Sequence, residues 1–140
     1  MKKVTIIYWS NGGNVEALAE KVYKGAKASG AEAYIKLVQD AKLEDVTSSD
    51  AIAFGSPSYD NNRIEQLELE PFIRQLKLLP NKQPIVLFGS YGWDDGKFLD
   101  DWKVTMEEYG FRVVGTLTVK ETPDEVELGK AFELGKLLAK

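Results

Sequence analysis

Five short apolar runs alternate along the chain with longer stretches in which apolar residues return at helical spacing. Val4-Thr5-Ile6-Ile7-Tyr8, Ala33-Tyr34-Ile35-Lys36-Leu37, Ala51-Ile52-Ala53-Phe54-Gly55, Ile85 to Gly89 and Arg112 to Val119 read as strands, being short and mostly rich in β-branched or aromatic residues. Val15, Leu18, Ala19, Val22 and Ala26 fall on one face of a helix that Gly30 stops. Pro71 opens a second helix through Phe72, Ile73, Leu76 and Leu79, closed by Pro80, because proline suits a first turn and ends a helix elsewhere. Phe98 to Tyr109 predicts a third, with Leu99, Trp102, Met106 and Tyr109 on one face, and Asp124 to Ala139 a closing helix. Runs apolar on both faces, separated by helices, predict an α/β fold: a doubly wound parallel sheet covered on both sides, in three layers. No repeat or linker breaks the order, so residues 1–140 read as a single domain.

In such a sheet, ligands bind beyond the carboxyl ends of the strands, where the winding reverses. The loops at that edge are Ser10–Asn14, Ser56–Asn62 and Ser90–Lys97, which are also the glycine-, serine- and asparagine-rich loops. The first leads into a helix N-terminus, where unpaired N–H groups and the helix dipole form an anion site. Ser10, Asn11 and Asn14 can add side-chain donors, and Gly12-Gly13 lets the backbone wrap a phosphate. An ordinary turn capped by Asn14 would use the same residues. Neither G-x-G-x-x-G nor G-x-x-x-x-G-K-[ST] is present, so dinucleotide binding and nucleotide hydrolysis both lose support. The third loop, Phe88-Gly89-Ser90-Tyr91-Gly92-Trp93-Asp94-Asp95-Gly96-Lys97, sets two aromatics among glycines, as a stacking surface for a flat ring would. Tyr91 and Trp93 could equally fold back onto the sheet edge.

Composition narrows the chemistry. With 44% apolar and 29% charged residues the chain is globular, and no apolar stretch approaches a membrane span. No signal-peptide layout opens it, which points to the cytoplasm. There is no cysteine and no histidine, so thiol catalysis, iron–sulfur clusters and imidazole bases are excluded, and redox chemistry needs a cofactor. The net charge of −4 argues against nucleic acid. The acidic excess lies wholly after residue 50 and includes Asp94, Asp95, Asp100, Asp101, Glu107 and Glu108, a solvated face that could also steer basic partners. A phosphorylated receiver domain would need acidic residues and a lysine where this chain has Trp9-Ser10, Gly55-Ser56 and Gly89-Ser90.

At these residues the chain resembles the flavodoxins, specifically the short-chain type of anaerobic bacteria. Tyr8-Trp9-Ser10, Glu70-Pro71-Phe72, Leu87 to Lys97 and Pro123-Asp124-Glu125 carry the resemblance over the whole length. It implies a flavodoxin-like five-stranded sheet in the order 2-1-3-4-5 and one non-covalent FMN. The implied function is a low-potential carrier that shuttles single electrons between redox enzymes with basic docking surfaces, as a monomer and not as an enzyme. By the same resemblance, Ser10, Asn11, Gly12, Gly13, Asn14 and Val15 would hold the phosphate with Ser90. Trp93 would flank one ring face and Tyr59 the other, with Gly89 to Gly92 along the pyrimidine edge. Ser58, Asp60, Asn61, Asn62, Tyr91 and Gly96 complete the implied contacts.

Two departures from the family pattern follow. Gly12 and Val15 stand where the family usually has hydroxyl residues, which implies weaker FMN binding and leaves a flavin-free or weakly binding interaction module as the alternative function. Asp60 stands where the family has a glycine that lets a peptide turn over as the flavin changes redox state. Asn61 tolerates a positive φ, so the turn is expected to carry that conformation at Asn61 and to be biased against the flipped form, which would want glycine at position 60 and which Asp60 opposes through its Cβ.

Overall fold

The computed structural model describes residues 1–60, 62–80 and 82–140. Five parallel strands form one sheet: β1 (Lys3–Tyr8), β2 (Glu32–Leu37), β3 (Ala51–Pro57), β4 (Pro84–Tyr91) and β5 (Arg112–Lys120), in the order β2-β1-β3-β4-β5. The crossovers are α1 (Asn14–Ala28), α2 (Leu43–Thr47), α3 (Leu69–Gln75) and α4 (Lys97–Glu108), and α5 (Glu125–Leu138) follows β5. The expected order and doubly wound topology are therefore present. Two boundaries differ in ways that matter later. β4 runs on through Ser90 and Tyr91, and α3 begins at Leu69, ahead of Pro71.

β1, β3 and β4 are apolar on both faces because helices cover both. One core, with Ile7, Phe54, Leu87, Phe98, Trp102 and Met106, lies on the α3/α4 side. The other, with Ile6, Ala53, Phe88, Leu18, Val22 and Ala131, lies on the α1/α5 side. β5 is only half-buried, as befits an edge strand.

α1 and α5 approach backbone to backbone. A Cβ added to Gly25 would lie 1.9 Å from the Phe132 carbonyl oxygen, and one added to Gly135 would lie 1.9 Å from the Val22 carbonyl oxygen. The two glycines face opposite ways across the crossing, so each helix seats itself in the other's missing side chain. Gly129, also in α5, has nothing within 4 Å of its added Cβ. The same substitution should therefore act with opposite sign at the two places. Gly135→Ala is expected to destabilise by about 1–3 kcal/mol through overpacking against backbone. Gly129→Ala should stabilise by roughly 0.5–1 kcal/mol through helix propensity. Thermal unfolding of the two variants against the parent checks both signs.

Candidate functional site

The strand register delivers three loops to one edge. Tyr8 pairs with Gly55, Ser56 with Gly89 and Pro57 with Ser90, so the segments after β1, β3 and β4 leave the sheet side by side. Two glycines make this register possible. A Cβ on Gly55 would lie 2.2 Å from the Phe88 ring, and one on Gly89 would lie 2.2 Å from the Ser56 carbonyl oxygen.

In the first loop, Gly12 and Gly13 take φ of 109° and 95°, with nothing within 4 Å of an added Cβ. Gly13 occupies the N-cap of α1, so the ordinary turn capped by Asn14 is not the one formed, and no side chain accepts from the first-turn amides. α5, by contrast, is closed by Asp124 and Glu127 in a reciprocal cap. The Ser10 Oγ is buried without a hydrogen-bond partner. An uncapped helix start, an open left-handed glycine pair and an orphaned hydroxyl together form a cradle that lacks only an acceptor, which suits a phosphate group. A threonine at position 12 would strain that left-handed backbone. Val15 is 2% exposed and belongs to the α1/α5 core, so side-chain donors here reduce to Ser10, Asn11 and Asn14.

The aromatics separate. Trp93 is fully exposed and free to cover a ring. Tyr91 packs against the α3/α4 core, with its ring under Gly96, which is the folded-back arrangement. The Ser90 hydroxyl, which the resemblance assigns to the phosphate, donates instead to the Glu121 carbonyl at 2.7 Å. Tyr59 is 38% exposed and meets Trp9 edge to face, at 5.4 Å and 76°. The Trp9 indole donates to Glu68 Oε1 at 2.9 Å.

The turn after β3 is closed by Tyr59 N–H donating to the Arg63 carbonyl at 2.7 Å. Asp60 and Asn62 take φ of 43° and 56°. Asp60 therefore adopts the left-handed conformation it was expected to oppose, because a short polar side chain tolerates it nearly as asparagine does. Asn61, to which the positive φ was assigned, lies outside the described residues. Gln66 Nε2 donates to the carbonyls of Tyr59 and Asp60, at 2.6 and 2.8 Å. The Ser58 hydroxyl donates to the Asp94 carboxylate, and Asn62 Nδ2 to Asp95 Oδ1 at 3.2 Å. Both carboxylates also accept backbone N–H groups at the start of α4, Asp94 from Gly96 at 3.2 Å and Asp95 from Lys97 at 3.1 Å. The Lys97 amide and then the Asn62 amide hold the Asp95 carboxyl below its ordinary value.

Sequence reasoning missed three residues that organise this edge. Glu65 is 1% exposed, and its carboxylate accepts the amides of Leu67, Glu68 and Leu69 at 2.7–2.8 Å. It caps α3 from outside, which is why that helix starts before Pro71. A glutamate shortly before a helical run was the available signal. Gln66 and Trp9 gave no such signal, since their roles depend on contacts across loops. A groove of about 830 Å³ between β5 and α5 shares no residue with these loops.

The 2-1-3-4-5 sheet with an open helix terminus at its switch point defines a doubly wound protein of the kind that takes a phosphorylated ligand. The profile of the Flavodoxin family matches residues 6–135. Flavodoxin of Megasphaera elsdenii is 39% identical over 137 residues, 98% of either chain. Flavodoxin of Clostridium beijerinckii is 37% identical over 135 residues, 96% of this chain and 97% of that one. The solution structure of two-electron reduced Megasphaera elsdenii flavodoxin matches with a TM-score of 0.89 at 38% identity, covering 97% of this chain and 98% of that chain. The chain belongs to the flavodoxin family, whose cofactor is FMN and whose members are electron carriers rather than enzymes.

Full exposure makes Trp93 a clean probe, since the fold loses no packing with it. Trp93→Ala should leave thermal stability unchanged and weaken FMN binding by about 1–3 kcal/mol, the range for a ring stacked on an aromatic. Flavin titration followed by absorbance checks this, and an unchanged Kd would place the ring elsewhere.

Proposed function

We propose that the protein passes single electrons at low potential between redox enzymes, holding FMN with its phosphate in the Ser10–Val15 loop and its ring between Tyr59 and Trp93. FMN, when bound, supplies the one-electron chemistry that a chain without cysteine or histidine cannot. The observation that carries the reading is the partnerless Ser10 hydroxyl beside the uncapped start of α1. A doubly charged phosphate there would accept that hydroxyl and the first amides of the helix together. Asn11 and Asn14 are placed on the same loop to add amide donors, and Gly89–Gly92 would run along the pyrimidine edge.

Low potential follows from charge. Asp60, Asp94 and Asp95 lie on the two segments that would border the ring, and each added electron is repelled by carboxylates nearby. The same groups, continued along α4 by Asp100, Asp101, Glu107 and Glu108, all exposed, favour partners with basic docking surfaces. Among the described residues no helix is long and apolar enough to cross a membrane, which agrees with a carrier that diffuses between partners.

If the loop grips phosphate, FMN should bind more tightly than riboflavin by at least roughly 10-fold, the low end for a single hydrogen bond to a charged group. Ser10→Ala should weaken FMN by about tenfold and leave riboflavin unaffected. Parallel titrations with the two flavins decide it, and equal affinities would sink the assignment of this loop.

A further inference from the structure

Gly129 sits inside a helix that has no need of it. Gly25 and Gly135 are bare because backbone lies against them, whereas nothing comes within 4 Å of a Cβ added at Gly129. A helix-interior glycine weakens the helix relative to alanine, so packing within this chain gives no reason for it. Gly129 lines the groove of about 830 Å³ between β5 and α5. The floor of that groove is apolar, with Leu117 from the strand and Leu134, Val126 and Leu137 from the helix, the last two exposed. The rim is basic, carrying Lys130, Lys136 and Lys140. A second hollow of about 200 Å³ shares Leu137 and Lys140 with the groove and adds Lys2 and Arg112. Lys2 Nζ donates to the Lys140 main-chain oxygen at 2.8 Å. Among the described residues Glu133 is the one acidic side chain on either rim, and it is paired with Lys136 at 3.4 Å. In a chain of net charge −4, positive charge is thus gathered at one place. The strand side of the groove is an edge: β5 ends the sheet, so the backbone N–H and C=O groups on its outer side have no strand partner. After an irregularity beyond Val113, β5 pairs with β4 without a break from Gly115 to Lys120, which leaves that length of outer edge regular.

We propose that this groove docks an extended, acidic segment of a partner protein, which adds to the outer edge of β5 and lays apolar side chains over Gly129 between Val126 and Leu137. Each requirement comes from one feature of the groove. A free strand edge pairs with extended backbone, a bare helix position admits close approach, an apolar floor takes apolar side chains, and a basic rim selects carboxylates. A second copy of this chain meets the terms poorly, because β5 is basic at both ends, Arg112 and Lys120, and two such edges laid antiparallel would set like charges opposite each other. The groove shares no residue with the loops after β1, β3 and β4, so a partner held here leaves that edge of the sheet open.

The probe is a labelled peptide, acetyl-Asp-Glu-Val-Thr-Val-Thr-Val-Glu-Asp-amide, which matches the 9 residues of β5 in length and has a counterpart with lysine at every acidic position. In anisotropy titrations of the full chain, the acidic peptide should bind at one site, about tenfold more tightly than the lysine peptide. Gly129→Gln puts a side chain into the groove at a position with room for it. It should weaken the acidic peptide by about tenfold or more while thermal unfolding stays at or above the parental value. Lys130→Gln, an exposed position, should weaken the acidic peptide by about threefold without affecting the fold. In the complex, amide hydrogen exchange over Gly115–Lys120 should slow. No binding by the parent, equal affinity for the two peptides, or parental affinity in both variants would each overturn the site. Binding that leaves exchange over Gly115–Lys120 unchanged would overturn strand addition. A parent that sediments as a dimer, dissociated by Gly129→Gln, would give the groove to a second copy and overturn the partner proposed here.

Discussion

The site depends on how closely β3 and β4 lie at their carboxyl ends. Gly89 comes so near the Ser56 carbonyl, and Gly55 so near the Phe88 ring, that no side chain fits at either place. With those two positions bare, the register carries straight through to Pro57 and Ser90. Ser56, fully buried, then turns its hydroxyl to receive the Glu65 amide and to donate to the Pro57 carbonyl. The loop after β3 therefore starts from a fixed point, and what Glu65, Gln66, Glu68 and Trp9 build on it inherits that precision. A larger residue at either glycine would part the strands where the loops must converge.

The other face of the sheet solves a different problem with the same device. α1 must come near enough to α5 for both to cover β1, β3 and β4, and its first turn must still open at the switch point. Gly25 and Gly135 bring the two helices into backbone contact in the C-terminal half of each, away from the first turn of α1. The absence of a capping side chain there is thus compatible with a well-held helix, because tertiary packing rather than the cap secures it.

Most of the architecture was legible, because apolar runs of strand length and stripes of helical spacing follow directly from two-sided burial. The short α2 and the 3₁₀ turns at Val38–Asp40 and Leu76–Leu78 escaped that reading, being too brief to show a period. At the site, glycines at a strand-to-helix turn marked the anion cradle. The conformation of Asp60 was read the wrong way round, since a reading from its Cβ alone set aside how well a short polar side chain tolerates left-handed backbone, and a contact invisible in the local sequence, from Gln66 six positions on, holds its carbonyl. Tyr91 and Trp93 looked alike in sequence. Only the extra length of β4, which carries Tyr91 into the sheet and leaves Trp93 beyond it, separates them.

The three tryptophans sit in three different surroundings. Trp102 is 3% exposed within the core, Trp9 is half-buried and hydrogen-bonded to Glu68, and Trp93 stands in water. Their emission should spread accordingly, bluest from the dry indole and reddest from the wet one. A single ultraviolet spectrum of this protein is therefore a composite of the packed interior, the loop behind Tyr59 and the exposed loop after β4, and loss of each component reports on a separate part of the molecule.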